Sequence, residues 1–188
     1  MTVRLHAADG FEFPAYVAQP KGAPKGAIVV VQEIFGVNAH IREVADGYAA
    51  QGYLAVAPAT FHRAKHSVEL GYTADDMQAG MTLKAAIAAL PNMAFMADVQ
   101  AAVKYAHQTT GAKVGIVGYC WGGLLTWRAA ALVKGLSAAV PYYGGGVTTD
   151  AEIARRGAVH LARGKRAVRR ALHDRVDVGF PPHVERGG

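Results

Sequence analysis

"VGIVGYCWGG", Val114 to Gly123, carries the chain's single cysteine between an apolar run and an amphipathic stretch, with glycines on both sides. A free cysteine is ordinarily a small buried hydrophobe without chemical consequence. The neighbours of Cys120 argue for more. "KVGIVGY" reads as a buried strand and "GGLLTWRAAALV" as a helix, so Cys120 falls where one turns directly into the other. Gly118-Tyr119-Cys120-Trp121-Gly122 is then a G-x-nucleophile-x-G elbow with cysteine in place of serine. A strained turn forces the central side chain outward. Any side chain at Gly118 or Gly122 would crowd the adjoining strand and helix. Backbone N–H groups at the helix start favour negative charge, which helps both a thiolate and an oxyanion. Cys120 reads as a nucleophile.

Outward from the elbow, the same alternation repeats. "TVRLHA" and "FEFPAYVA" read as two strands around a tight turn at Asp9-Gly10. "AIVVVQ" (27–32) and "YLAVAP" (53–58) are runs typical of strands buried in a parallel sheet. A helix is predicted between them, capped by Asn38 and ended by Gly52. A polar loop with His62, Arg63, Lys65 and His66 spans 59–74, followed by helical stretches from about Asp75 to Leu90 and a break at Pro91-Asn92. In the next helix Phe95, Val99, Val103 and Ala106 form the apolar stripe, off which Lys104 and His107 fall. "LSAAVPYY" is a further strand, and Tyr142 and Tyr143 read as ordinary strand-end tyrosines. Trp127 and Arg128 read as helix packing and its solvated face. The pattern is α/β with a mainly parallel sheet and an N-terminal antiparallel hairpin at its edge.

At 188 residues and 52% apolar, the chain suits one domain with a substantial core. The net charge of +6 resembles a nucleic-acid signal until it is divided. Residues 1–150 carry 11 Lys+Arg against 10 Asp+Glu, whereas 151–188 carry 9 against 4. The basicity belongs to the tail, and anionic-polymer binding there is the weaker reading. The lone cysteine excludes an internal disulfide and fits a reducing cytoplasm; the first residues lack the apolar core of a secretory signal. No run is long enough for a membrane span. Cys120, His62 and His66 lack the companions a metal site needs, and no phosphate-binding glycine motif occurs. No cofactor, nucleic acid or membrane is expected, and the oligomeric state stays open.

"QEIFGVN" (32–38) and "GYCWGG" (118–123) together resemble the signatures of the dienelactone hydrolase family, the carboxymethylenebutenolidases. The resemblance runs from about residue 10 to Gly144 and includes the "PATFHR" loop. It implies an α/β-hydrolase fold and a Cys-His-Asp triad that hydrolyses lactone or enol-ester substrates through an acyl-cysteine. The backbone N–H groups of Ile34 and Trp121 would hold the oxyanion. Glu33 matches the family's carboxylate that meets the resting thiol, and a nearby carboxylate would keep that thiol neutral. The alternative reading of Glu33 is a helix-entry or surface carboxylate. The family's dienelactone specialists hold a substrate carboxylate with arginines, and "TADDMQAGMTLKA" offers none, which leaves Arg63 as the candidate substitute.

The resemblance implies two further strands, leading to the triad Asp and His. In "AVHLARGKRAV", Lys165-Arg166 stands where acid is wanted, and in "DVGFPPHVERGG" Val178 falls at the His position. The span between them is too short for a strand, helix and strand, as a shifted reading frame or a deletion would leave it. The chain is therefore read as an incomplete hydrolase domain over 1–150 and a basic, atypical tail over 151–188, with the triad His and Asp unassigned. The tail's His160, His173 and His183, with Asp174 and Asp177, show no pattern that places them at the elbow. The expected partner is a small-molecule ester or lactone. The alternative is a catalytically impaired remnant that binds a ligand or partner, or a non-functional truncated product.

Overall fold

Across Asp9-Gly10, β1 (Thr2–His6) and β2 (Glu12–Ala18) pair antiparallel, with Gly10 at φ 82° taking the turn. Four strands follow in the computed structural model, which describes residues 1–147: β3 (Ala27–Val31), β4 (Leu54–Pro58), β5 (Val114–Tyr119) and β6 (Leu136–Tyr142). Their order across the sheet is β1-β2-β4-β3-β5-β6. β2 runs antiparallel to β4, and β4, β3, β5 and β6 are mutually parallel. This is the expected α/β arrangement, hairpin at one edge. The tail, including Lys165, Arg166, Val178, the three tail histidines, Asp174 and Asp177, lies outside the described residues, as does any triad His or Asp it holds.

Pleating divides the strand residues between two cores. Val29 and Val31 join Val99 and Val103 of α3 (Phe95–Thr110) and Leu125 of α4 (Trp121–Leu132) on one face. Val30 points the other way, onto Ile41, Val44 and Ala45 of α1 (Ala39–Ala50). A run apolar at every position is what a doubly covered strand requires. Asn38 caps α1 by accepting from the Ile41 N–H at 3.2 Å, and Phe95, Val99, Val103 and Ala106 are all buried. The remaining helix, α2 (Ala74–Ala88), starts at a capping box between Thr73 and Asp76 and ends before a 3-10 turn at Pro91–Met93. No single helix among the described residues is long and apolar enough to cross a membrane.

Register decides where function collects. Val31 of β3 lies opposite Gly118 of β5, and Tyr119 lies opposite Tyr142 of β6. The chain therefore leaves three neighbouring parallel strands at one end of the sheet, at Gln32-Glu33, at Cys120 and at Tyr143. In open α/β sheets the crevice outside the carboxyl ends of the strands is where ligands bind.

Candidate active site

Cys120 is the hinge between β5 and α4, and its backbone sits at φ 54°, ψ −118°, a conformation that non-glycine residues rarely adopt. The Tyr142 carbonyl accepts its N–H at 3.1 Å, and its own carbonyl accepts from Gly123 at 3.0 Å. The flanking glycines are required by space. A Cβ on Gly122 would run into the Val31 and Gln32 carbonyl oxygens, and one on Gly118 into the Gly122 carbonyl and the Thr126 hydroxyl. The first turn of α4 is thus pressed against the end of β3, bringing the loop that carries Glu33 and Ile34 to the elbow.

That loop is tied from its other side. Leu70 N–H donates to the Phe35 carbonyl at 2.8 Å, Asn38 Nδ2 donates to the Leu70 carbonyl at 3.0 Å, and Arg42 grips Glu69 through two short bonds of 2.7 and 2.6 Å. Ile34 is buried, and among the described residues its N–H has no acceptor. Trp121 is buried as well. Its ring stacks on Phe61 of the "PATFHR" loop with centroids 4.8 Å apart. The two amides assigned to the oxyanion therefore belong to residues held by packing.

Burial pushes the Cys120 thiol above its ordinary value, opposed by a backbone hydrogen bond from Trp121; the Glu33 charge raises it further and the Lys84 charge lowers it. Glu33 differs from expectation in one respect. Its carboxylate is not hydrogen-bonded to the thiol. Tyr143 Oη donates to its Oε1 at 3.2 Å and Tyr72 Oη to its Oε2 at 3.5 Å, so Glu33 reaches Cys120 through charge alone. Tyr143, read from sequence as an ordinary strand end, lies just past β6 at φ 38° and contributes to the site. Its signal was its place beside the elbow strand, which only the sheet register reveals. Tyr72 and Lys84 carried no sequence signal at all.

Arg63 must be withdrawn as a substrate anchor. Nε and Nη2 bond the buried Asp98 carboxylate at 2.8 and 2.7 Å, Nη1 pairs with Asp9 at 2.8 Å, and the guanidinium lies 4.3 Å above the Phe11 ring. Both edges of the fork are taken by carboxylates, which tie its loop to α3 and to the β1–β2 turn. On the same loop His62 stacks on His66, centroids 4.0 Å apart. His6 pairs with Glu12, His40 packs near Tyr72 and His107 meets the Ala112 carbonyl. Among the described residues, no histidine bonds to Cys120, and no cluster of three metal-ligating side chains occurs.

The dienelactone hydrolase family model matches residues 13–162. The chain belongs to the dienelactone hydrolase family. That match passes the 1–150 boundary drawn from composition and enters the basic tail. The carboxymethylenebutenolidase of Pseudomonas putida is 40% identical over 148 residues, covering 77% of this chain and 61% of its own length. A Methylorubrum extorquens protein described as a candidate carboxymethylenebutenolidase is 34% identical over 183 residues, 95% of this chain and 60% of its own. A candidate dienelactone hydrolase from Klebsiella pneumoniae, solved by crystallography, superposes with TM-score 0.61 at 32% identity, covering 77% of this chain and 60% of that one. This dienelactone hydrolase family chain spans about half to three-fifths of the length of the curated relatives it matches.

Proposed function

We propose that the chain belongs to a hydrolase of lactone, enol-ester or related carboxylic ester substrates, acting through Cys120. The observation that carries this reading is the backbone of Cys120, held at φ 54°, ψ −118° between β5 and α4, which projects a side chain from a turn with no room to relax. Relatives named carboxymethylenebutenolidase support the substrate class.

In this reading the Cys120 thiolate attacks the ester carbonyl carbon, and the developing oxyanion accepts from the N–H groups of Ile34 and Trp121. Collapse breaks the acyl C–O bond, and the departing alkoxide takes up a proton. Water then cleaves the thioester, releasing the carboxylic acid and restoring the thiol. Glu33, by its charge, keeps the resting thiol neutral. The residues that move the proton stay unassigned, and the tail with His160, His173 and His183 lies outside the described residues.

An activated aryl ester such as p-nitrophenyl acetate tests the reading. Cys120 is expected to acquire an acetyl adduct, found by peptide mass spectrometry, and Cys120→Ala to lower aryl-ester turnover by at least about 10³-fold. Nitrophenol release at an unchanged rate from the alanine variant would overturn it. Ligand binding without any turnover or adduct would favour the non-catalytic binding protein instead.

A further inference from the structure

Glu33 acts on the thiol without touching it, and both of its carboxylate oxygens are occupied by phenols from distant parts of the chain. Tyr143 comes from the end of β6 and Tyr72 from the segment before α2; they converge on the loop after β3. Tyr143 sits at φ 38°, a strained region for a non-glycine residue that persists only where its surroundings hold it. Such strain collects at functional sites. Tyr143 is 60% exposed, so fitting its ring into the core does not account for the strain. Tyr72 is also mostly exposed, with Phe35 4.6 Å away and Asn38 Nδ2 donating to its hydroxyl at 3.5 Å.

We propose that Tyr143, seconded by Tyr72, is a positioning residue for Glu33: the two phenols hold its carboxylate off the thiol and thereby set how readily Cys120 ionises. This rests on the reading of Cys120 as the nucleophile. The charged and titratable groups that bear on the arrangement are Glu33 and Lys84 at the thiol, Glu33, Cys120 and Tyr72 at Tyr143, and Glu33 and Glu43 at Tyr72. Burial and the Glu33 charge both raise Tyr143, so its phenol stays a donor throughout the neutral range. A carboxylate that accepts from two O–H groups is partly neutralised, and here the two phenols orient it where it makes no hydrogen bond with the thiol. Remove one donor, and the carboxylate is free to turn and take the S–H proton as a hydrogen bond. That stabilises the neutral thiol and repels the thiolate, so the thiol pKa rises. The 3.2 and 3.5 Å separations are longer than tight O–H···O⁻ bonds, with Tyr143 the closer arm.

The test is iodoacetamide alkylation of the single cysteine, followed against pH in the full chain and in Tyr143→Phe, Tyr72→Phe, Glu33→Gln and the double variant Tyr143→Phe/Glu33→Gln. Near the ordinary thiol pKa, about 8.5, Tyr143→Phe is expected to slow alkylation about threefold, a shift of roughly half a pKa unit. Tyr72→Phe should slow it less, and Glu33→Gln should speed it. The double variant should match Glu33→Gln alone, because the phenol acts only through the carboxylate. A Tyr143→Phe profile superimposed on the unmutated one overturns the proposal, as does a Tyr143→Phe effect that persists in the Glu33→Gln background. A cysteine that alkylates normally but ignores both tyrosines sinks the clamp alone. A cysteine inert in every variant sinks the nucleophile reading and the clamp with it.

Discussion

Two helices border Cys120, and they are held in opposite ways. α4 grows directly out of the elbow and packs on β3, β5 and β6, with Trp121 to Thr126 buried in succession. α2, whose Lys84 charge reaches the thiol, buries just Gly80 and Ile87 along its length and leaves Met77 and Met81 exposed. The wall that carries Cys120 is a welded part of the sheet. The opposite wall rests on its capping box, on the fully buried Ile87 and on one close approach, where Gly80 meets the Ile34 carbonyl. Few buried apolar contacts mean low local stability, so the two walls should open at different free energies.

The sharpest way to break this contrast is a methyl group on each side. Gly122→Ala forces a Cβ into the Val31 and Gln32 carbonyl oxygens, both fixed in or beside the central strand. The expected loss is about 3 kcal/mol or more, above the usual overpacking range because neither backbone can yield. Urea unfolding monitored by circular dichroism measures it, and a loss under 1 kcal/mol would mean that α4 is not welded. Gly80→Ala places a Cβ on the Ile34 carbonyl, but α2 has little else to hold it in place and can shift. Replacing a helical glycine by alanine returns about 1 kcal/mol of helix propensity, so the net destabilisation should be roughly 1 kcal/mol or less. Hydrogen exchange should show faster opening of α2 with α4 unchanged. Equal losses for the two substitutions would erase the distinction between the walls.

The smallest effect sharpens the comparison at the chemistry. Lys84 is half-buried, and its charge lowers the Cys120 pKa from the sparsely buried helix α2. Lys84→Met should raise the thiol pKa and slow alkylation about twofold below pH 8, roughly a third of a pKa unit. The same substitution combined with Gly80→Ala should have a smaller effect, since the displaced helix has already carried the charge away. Independent effects would place Lys84 outside the motion of α2.

The elbow was legible because it is local. Two glycines, a reactive residue and a change of period from strand to helix lie within ten consecutive residues, and each is explained by contacts with its neighbours in the chain. Ile34 and Trp121 were assigned by resemblance, since both lie within short motifs. Arg63 misled for the opposite reason. An arginine on a polar loop carries no mark of its partner, and its partners Asp98 and Asp9 come from α3 and from the first turn. Tyr143 was undervalued for the same cause: 110 residues separate it from Glu33.

The sequence by itself determined the alternation of strands and helices, the doubly covered parallel strands and the place of Cys120, because hydrophobic period and glycine spacing follow from short-range sterics. The tertiary structure alone decided which polar groups meet. A hydrogen bond between side chains far apart in the chain leaves no periodic trace, and its partners are chosen by sheet order and register. β5 between β3 and β6 brings Glu33, Cys120 and Tyr143 to one end of the sheet. The same packing binds Arg63 between two carboxylates, so an exposed candidate anchor becomes an internal brace.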